Sequence, residues 1–298
     1  MLNLSLPSKK ITLIGIETQP IRILVVLNIS MSKKVTILGL GWLGLPLAKK
    51  CKQEGFEVNG STTKADKSKL LRHKGVEAIE WNIGDPLKKQ LRKSDCYIIN
   101  IPPSNVEDFS SKIEILLSEL PSRAFVIFCS STSVYGQQNG VLDEESNLKA
   151  DKRSGQELIL AEEAIQQRFE KRNCILRCSG LIGPKRHPIF RLSGKETSFP
   201  VEETVNLVHQ EDIISIILKI LNSWDKLDLE KPLAGIYNLS SGEKYSKGKY
   251  YNIIANKFGI VPPIYSASSS SNSERFVSNE RARRRFNHTF KSILEYRL

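Results

Sequence analysis

Three glycines in the run GLGWLG, at Gly39, Gly41 and Gly44, have the G-x-G-x-x-G spacing that receives the pyrophosphate of a dinucleotide. Gly39 permits a tight turn, Gly41 lets the backbone approach the phosphates, and Gly44 lets the next helix pack closely on the strand. Trp42 and Leu43 complete the loop, and the N-terminus of the helix supplies N–H donors and a positive dipole. The end of the following strand bears on cofactor choice. An NAD enzyme usually carries an acid there for the ribose hydroxyls, but this chain reads Gly60-Ser61-Thr62-Thr63-Lys64, with no acid before Asp66. The hydroxyls of Ser61 and Thr62 and the ammonium of Lys64 suit a 2′-phosphate. NADP(H) is therefore favoured over NAD(H), with Asp66 close enough to keep NAD(H) open. Ile101 and Pro102, closing the run DCYIINIPP, join the cofactor-binding set.

A second set of reactive side chains lies in GPKRHP. His187 titrates in the physiological range, and Lys185 or Arg186 offers a cation to an anionic substrate. The competing reading is a solvated loop that only positions substrate. Tyr135 is a further candidate acid, with core packing as its alternative, and His209, just before Asp212 at a helix start, reads as structural.

The elements that must position these groups alternate. From Lys33, "KVTILGL" reads as a buried strand, "WLGLPLAKKCKQEG" as a helix and "EVNGS" as a strand. Residues 68–74 are helical, "VEAIEW" and "DCYIINIPP" are strands, and residues 106–120 form a helix with Ile113, Leu116 and Leu117 at core spacing. "AFVIFCSS" is a strand, residues 157–169 a helix and "NCILRCSG" a strand. Such alternation implies right-handed crossovers and a doubly wound parallel α/β sheet of Rossmann type. After Gly183 the rhythm breaks into Pro-, Lys- and Ser-rich loops. These are punctuated by "NLVHQEDIISIILKIL", "GIYNLSS", and helices near residues 250–258 and 279–286, with a serine-rich loop at Ser266–Ser273. This second part reads as a smaller, interleaved C-terminal α/β lobe. Residues 31–182 are expected to form the NAD(P)-binding core and 183–298 most of the substrate lobe, with 204–240 contributing to the core.

Composition narrows the function classes. The five cysteines are scattered, and Cys174 and Cys178, the only close pair, fall in a strand, so all five read as reduced thiols rather than a metal or redox site. The apolar stretch Val35–Ala48 is interrupted by glycines and Pro46 and is too short to span a bilayer. A net charge of +12 raises nucleic-acid binding. Its one dense cluster, Arg281 with Arg283, Arg284 and Arg285, has no nucleic-acid-binding motif beside it and reads as a solvated helix face. Ser8–Ile16 ("SKKITLIGI") nearly repeats Ser32–Leu40 ("SKKVTILGL") but loses the glycines, and Met31 precedes the intact copy. Residues 1–30 are thus expected to be a leader or a mis-assigned start, with an extra edge strand as the alternative.

"GLGWLGLPLA", "SSTSVYG", "LRCSGLIGPKRHP" and "NLVHQED", in this order over about residues 33 to 290, resemble the extended short-chain dehydrogenase/reductases. These are the relatives of nucleotide-sugar epimerases and dehydratases, and the closer resemblance is to the atypical YeeZ-type bacterial subgroup. The β-hydroxyacid dehydrogenases share a similar glycine loop but lack the "SSTSVYG" strand end. The resemblance implies that Ser131 is the hydroxyl that orients the reacting oxygen. It puts Thr132 and Ser133 where dehydratase relatives carry an acid pair, which speaks against elimination chemistry and leaves Thr132 as a substrate contact. It further implies a Tyr-x-x-x-Lys pair on the next helix, the tyrosine as general acid/base with its pKa lowered by lysine and cofactor. The matching positions here are Ser154 and Leu158, and no tyrosine lies between Tyr135 and Tyr237. The dyad is absent.

The expectation is an NAD(P)(H)-binding atypical family member that is an oxidoreductase or epimerase on a small hydroxylated or nucleotide-sugar-like substrate. Ser131, His187 and Tyr135 are its candidate catalytic groups and Thr132, Lys185 and Arg186 its substrate contacts. The alternative is a non-catalytic dinucleotide-binding redox sensor. Neither metal, membrane nor nucleic acid is expected as a partner, and a cytoplasmic location is.

Overall fold

The computed structural model describes residues 33–197, 199–224, 233–265 and 274–296. Residues 1–30, for which a leader or mis-assigned start is expected, and the serine run Ser266–Ser273 lie outside the described residues.

Seven strands build the central sheet: β1 (Lys34–Leu38), β2 (Glu57–Thr62), β3 (Glu77–Glu80), β4 (Cys96–Ile99), β5 (Phe125–Ser131), and, beyond a short β6 (Gly140–Leu142), β7 (Asn173–Cys178). After β8 (Gly180–Ile182), β9 (Glu196–Thr197) and β10 (Leu207–His209), the seventh member is β11 (Gly235–Leu239); β12 (Ile264–Tyr265) and β13 (Arg275–Val277) follow. The order across the sheet is β3-β2-β1-β4-β5-β7-β11, and every neighbouring pair is parallel. A parallel sheet covered on both faces calls for continuous apolar strands rather than alternating ones. β4 (CYII) and β7 (NCILRC) are buried along their whole length.

The helices divide between the faces. α1 (Gly44–Gln53), α2 (Ala65–His73), α6 (Gln210–Leu221) and α8 (Glu280–Phe286) pack into one core with Leu47, Cys51, Ile213, Ile217 and Phe286. α3 (Phe109–Glu119) and α4 (Arg153–Phe169) pack into the other with Ile113, Leu117, Leu158, Ile165 and Phe169. A third cluster, with Ile189, Tyr250, Tyr251, Ile254, Ile293 and Tyr296, forms the smaller lobe around α5 (Ile189–Leu192) and α7 (Lys247–Phe258). Two two-stranded parallel pairs, β8 with β10 and β9 with β12, run through this lobe, and a third, β6 with β13, ties the segment after β5 to the C-terminal part of the chain.

α4 starts at Arg153, four positions before the helix expected at Glu157. Ser154-Gly155 reads as a break in a sequence, but the glycine is required here by packing. A Cβ at Gly155 would lie 2.8 Å from Ala150 Cβ and 3.0 Å from Ser133 O. α2 likewise starts at Ala65 rather than Ser68.

The chain leaves β1 to build β2 and β3 on one side, then crosses to β4 on the other. The register pairs Leu38 with both Ser61 and Ile99, and Ser131 with Cys178. The carboxyl ends of β1, β2, β4, β5 and β7 therefore open at one edge of the sheet, with the switch point between β1 and β4, where ligands bind in open α/β sheets.

Candidate functional site

The glycine loop sits at that switch point. Gly39 has φ +106°, and a Cβ there would meet the Asn100 carbonyl oxygen at 2.4 Å; a Cβ at Gly44 would meet the Gly39 carbonyl oxygen at 2.1 Å. Both positions are closed to any side chain. Gly41 differs: a Cβ there meets nothing within 4 Å. The loop is held from two sides, with Leu40 N–H donating to Ser61 O (2.7 Å), Gly39 N–H to Ser61 Oγ (3.1 Å) and Asn100 Nδ2 to Gly39 O (3.1 Å). No side chain caps the N-terminus of α1.

Two cavities meet across this loop, sharing Gly41, Asn100, Ile101 and Pro102. The first, about 730 Å³, runs over the end of β2 and is lined by Thr62, Thr63, Lys67, Trp81 and Ile83 among others. The second, about 620 Å³, runs toward β5 and β7 past Trp42, Leu43, Ser131, Ser154, Ser179 and Arg186. Two cavities that share the Gly41 wall give room on either side of the loop, as the two halves of a dinucleotide require. Open space at Gly41, beside glycines whose every Cβ would clash, is what a pyrophosphate lying on the loop requires. The residues present fit the group.

Most of the sequence candidates assemble here, and several are corrected. Gly39, Gly41, Trp42, Leu43, Thr62, Ile101 and Pro102 line the groove. Gly44 sits beneath it as the close packing contact. Ser61 also lines it, but its hydroxyl is occupied by Gly39 N–H and the residue is buried, so it supports the loop. Lys64 is exposed ahead of α2 and lies off the lining; Lys67, one turn further on, faces the cavity. The earlier start of α2 shifts the cation from one to the other.

Ser131 lines the second cavity, and its Oγ accepts from Ser133 N–H (3.1 Å). Ser154 and Leu158, where the resemblance implies the tyrosine and lysine of the family pair, line it too. Thr132 does not: it is buried, and its carbonyl accepts from Arg275 Nη2 (2.9 Å). Tyr135 is fully buried beneath the strand end. Its hydroxyl accepts from Arg177 Nη1 (2.9 Å) and donates to Asn238 Oδ1 (2.8 Å), and burial raises its pKa. Arg177 in turn pairs with Glu162 at 2.7 Å, both side chains 2% exposed, and Glu162 accepts from Ser130 Oγ. This buried chain of polar groups fixes the end of β5 against α4, and the phenol has no free face for a substrate.

His187 departs furthest from expectation. It is buried in the aromatic cluster of the lobe, off the cavity lining, with its ring 4.9 Å from that of Tyr296. Ile189 N–H donates to its Nδ1 (3.1 Å), so Nε2 carries the proton and donates to Tyr250 Oη at 2.8 Å. Burial, then the neighbouring His209, pushes its pKa down to about 4. A neutral, enclosed imidazole of this kind is not a proton carrier for the cavity. Lys185 is exposed with φ +58° and lies off the lining, whereas Arg186 lines the cavity and stacks over the Trp42 ring at 4.9 Å. Trp42 is itself tied to the lobe, its Nε1 donating to Pro184 O (2.8 Å) and its carbonyl accepting from Gln210 Nε2 (2.7 Å).

The sequence reading missed Asn100, Lys67, Trp81 and Ser179. Asn100 carries a signal, as a polar residue directly after a buried strand facing the glycine loop. The cysteines stay free, and burial pushes Cys129, on the cavity wall, up to about 12. Among the described residues there is no cluster of His, Cys, Asp or Glu able to hold a metal, and no helix long and apolar enough to cross a membrane. The arginine cluster on α8 is ion-paired in part, Arg281 with Glu145, and Arg283 and Arg284 with Glu280.

Comparison with known proteins agrees with this geometry. Protein YeeZ of Escherichia coli (strain K12) is 32% identical over 262 residues, covering 84% of this chain and 92% of that protein. The chain belongs to the YeeZ family. The profile of the NAD binding domain of 6-phosphogluconate dehydrogenase matches residues 34–147, which span the glycine loop and the first five strands of the sheet. The YeeZ-family chain thus carries a nicotinamide-dinucleotide-binding Rossmann domain. Its fold is shared with the UDP-glucuronic acid 4-epimerase from Bacillus cereus in complex with NAD, at TM-score 0.71, 17% identity, and 88% and 94% of the two chains covered. It is shared also with a short-chain dehydrogenase/reductase superfamily protein from Agrobacterium tumefaciens with bound NAD, at TM-score 0.68, 15% identity, and 88% and 94% covered.

Proposed function

We propose that this protein is an NAD(P)(H)-dependent oxidoreductase or epimerase-like enzyme acting on a small hydroxylated substrate in the second cavity. The observation that carries the reading is the groove itself: two cavities joined over Gly41, one at the end of β2 and one against Ser131. When bound, the dinucleotide supplies a hydride acceptor or donor. The chain supplies the rest. Gly41 and the α1 N-terminus would seat the pyrophosphate, and Ile101 and Pro102 wall both cavities after β4. Thr62, Thr63 and Lys67 would hold the adenosine ribose, and two hydroxyls with an ammonium at the end of β2 favour NADP(H) over NAD(H), with Glu107 the one carboxylate on that cavity's wall among the described residues. A fold relative solved in complex with UDP-glucose and NAD makes a nucleotide-sugar-like substrate the alternative to a small acid or alcohol within this reading.

Ser131 orients the reacting oxygen by hydrogen bonding, the role its place at the end of β5 suits. Among the described residues, no side chain lining the second cavity is a histidine, carboxylate, lysine or tyrosine. A proton leaving or reaching the substrate therefore passes through the Ser131 hydroxyl to water, since a hydroxyl both donates and accepts without ionising. Such an enzyme has a pH–rate profile without a limb from its own groups near neutrality. The same absence of a titrating group favours a second reading, a dinucleotide sensor that turns nothing over. The two are separated by following absorbance of the reduced cofactor with a panel of small alcohols, aldehydes, hydroxy acids and nucleotide sugars across pH 5–9. Turnover that Ser131→Ala reduces supports the enzyme; binding of cofactor with no turnover by wild type supports the sensor.

A further inference from the structure

Two side chains on the second cavity make no hydrogen bond or ion pair among the described residues. Ser179, the residue after β7, lines the cavity and is 4% exposed, and its buried Oγ has no hydrogen-bond partner among the described residues. A buried hydroxyl left unsatisfied costs about 1–3 kcal/mol, so it points to a missing ligand group. Arg186 stands at the mouth of the same cavity. Its guanidinium is stacked on Trp42 and has no carboxylate partner among the described residues. Among the described residues it is the one ionised side chain on a wall otherwise made of serine hydroxyls, the Asn100 amide, backbone, thiols and apolar groups, and none of the described residues on that wall is acidic. Trp42, hydrogen-bonded to Pro184 O at 2.8 Å, holds the plane of the guanidinium in place.

We propose that the second cavity binds a carboxylate-bearing hydroxy acid or its oxo-acid counterpart, with the carboxylate on Arg186 and a hydroxyl on Ser179. The inference rests on the dinucleotide-binding reading and names its substrate class. A planar guanidinium presents paired donors that match a carboxylate. The single positive charge of the wall is neutralised by one carboxylate, whereas a diphosphate would leave uncompensated negative charge in the groove. The reaction balances as oxidation of the C–OH to C=O, with the C–H electron pair and its hydrogen passing as hydride to the oxidised nicotinamide and the hydroxyl proton to water.

The test uses the full chain saturated with dinucleotide. Glycerate and gluconate are titrated against the neutral polyols glycerol and sorbitol, with inorganic phosphate as a further arm, and binding is read by calorimetry. The acids are expected to bind at least tenfold more tightly than the polyols and more tightly than phosphate. Arg186→Gln should remove that preference with dinucleotide affinity and melting temperature unchanged, Arg186→Lys should restore part of it, and Ser179→Ala should weaken acids and polyols alike. Equal binding of acids and polyols, or no carboxylate-dependent binding at all, overturns the proposal. So does loss of dinucleotide affinity in Arg186→Gln equal to its loss of acid binding, which would assign the guanidinium to the pyrophosphate. Failure of wild type to bind dinucleotide in the first step would instead remove the reading beneath it.

Discussion

Replacing His187 by Gln separates a lobe-core imidazole from a catalytic one. The folded imidazole has its pKa pushed down to about 4 from the ordinary 6.5. Above 6.5 both folded and unfolded forms are neutral and the residue contributes no pH dependence. Between 6.5 and 4 the unfolded chain takes up a proton that the buried ring refuses, so stability falls as the pH drops. The slope is at most about 1.4 kcal/mol per pH unit, and over this window the loss reaches about 3 kcal/mol. Gln keeps an N–H donor for Tyr250 Oη and an acceptor for Ile189 N–H, the two bonds the ring makes, but it does not titrate. Urea unfolding at half-unit steps from pH 4 to 8 should show wild type losing up to about 3 kcal/mol more than His187→Gln across that window. Above pH 7 the two slopes should be parallel and dinucleotide affinity the same. Superimposable pH–stability curves below 6.5, or a loss of a neutral-pH rate limb in the variant, would refute the placement of His187 in the core.

Glu162→Ala leaves the buried Arg177 charge unpaired and should cost about 3–5 kcal/mol in chemical unfolding; a cost under about 1 kcal/mol would show that the polar chain under β5 is not structural. Ser131→Ala should lower kcat/KM by an amount equivalent to about 2.7–4 kcal/mol, the loss of one oriented donor to the developing oxyanion. Ser154→Ala, which removes a hydroxyl without a lysine beside it, should change the rate little, and a defect confined to it would move the reacting oxygen to α4. Lys67→Ala should weaken NADP(H) by about 1.5–3 kcal/mol, the worth of a hydrogen bond to a charged group, and NAD(H) hardly at all; equal effects on both would remove the 2′-phosphate reading.

The strands of the sheet were legible because burial on both faces writes itself as apolar runs such as CYII and FVIF, and the glycine loop because two of its three positions admit no Cβ. Ser154 and Leu158, the positions the resemblance assigns to the Tyr-x-x-x-Lys pair, both line the second cavity. What local sequence hides is decided by distant partners. His187 is enclosed by Tyr250 and Tyr296, far along the chain, so a loop histidine between basic residues is in fact core. Tyr135 is claimed by Arg177 and Asn238 from two other strands. The error over Lys64 came from a helix boundary: a start at Ala65 turns Lys67 to the groove and leaves Lys64 outside. Ser179 gave no signal, because an unsatisfied hydroxyl shows only once its surroundings are built.

Calorimetric titration of wild type and Gly41→Val with NADP(H) and NAD(H) tests the central claim most directly. The Gly41 backbone lies outside the left-handed region and its Cβ direction is open, so valine folds without strain while filling the space of the pyrophosphate. The account predicts that wild type binds, with NADP(H) preferred, and that the variant keeps its melting temperature and loses binding. Equal affinity in the two proteins, or no binding of either dinucleotide by wild type, would contradict it.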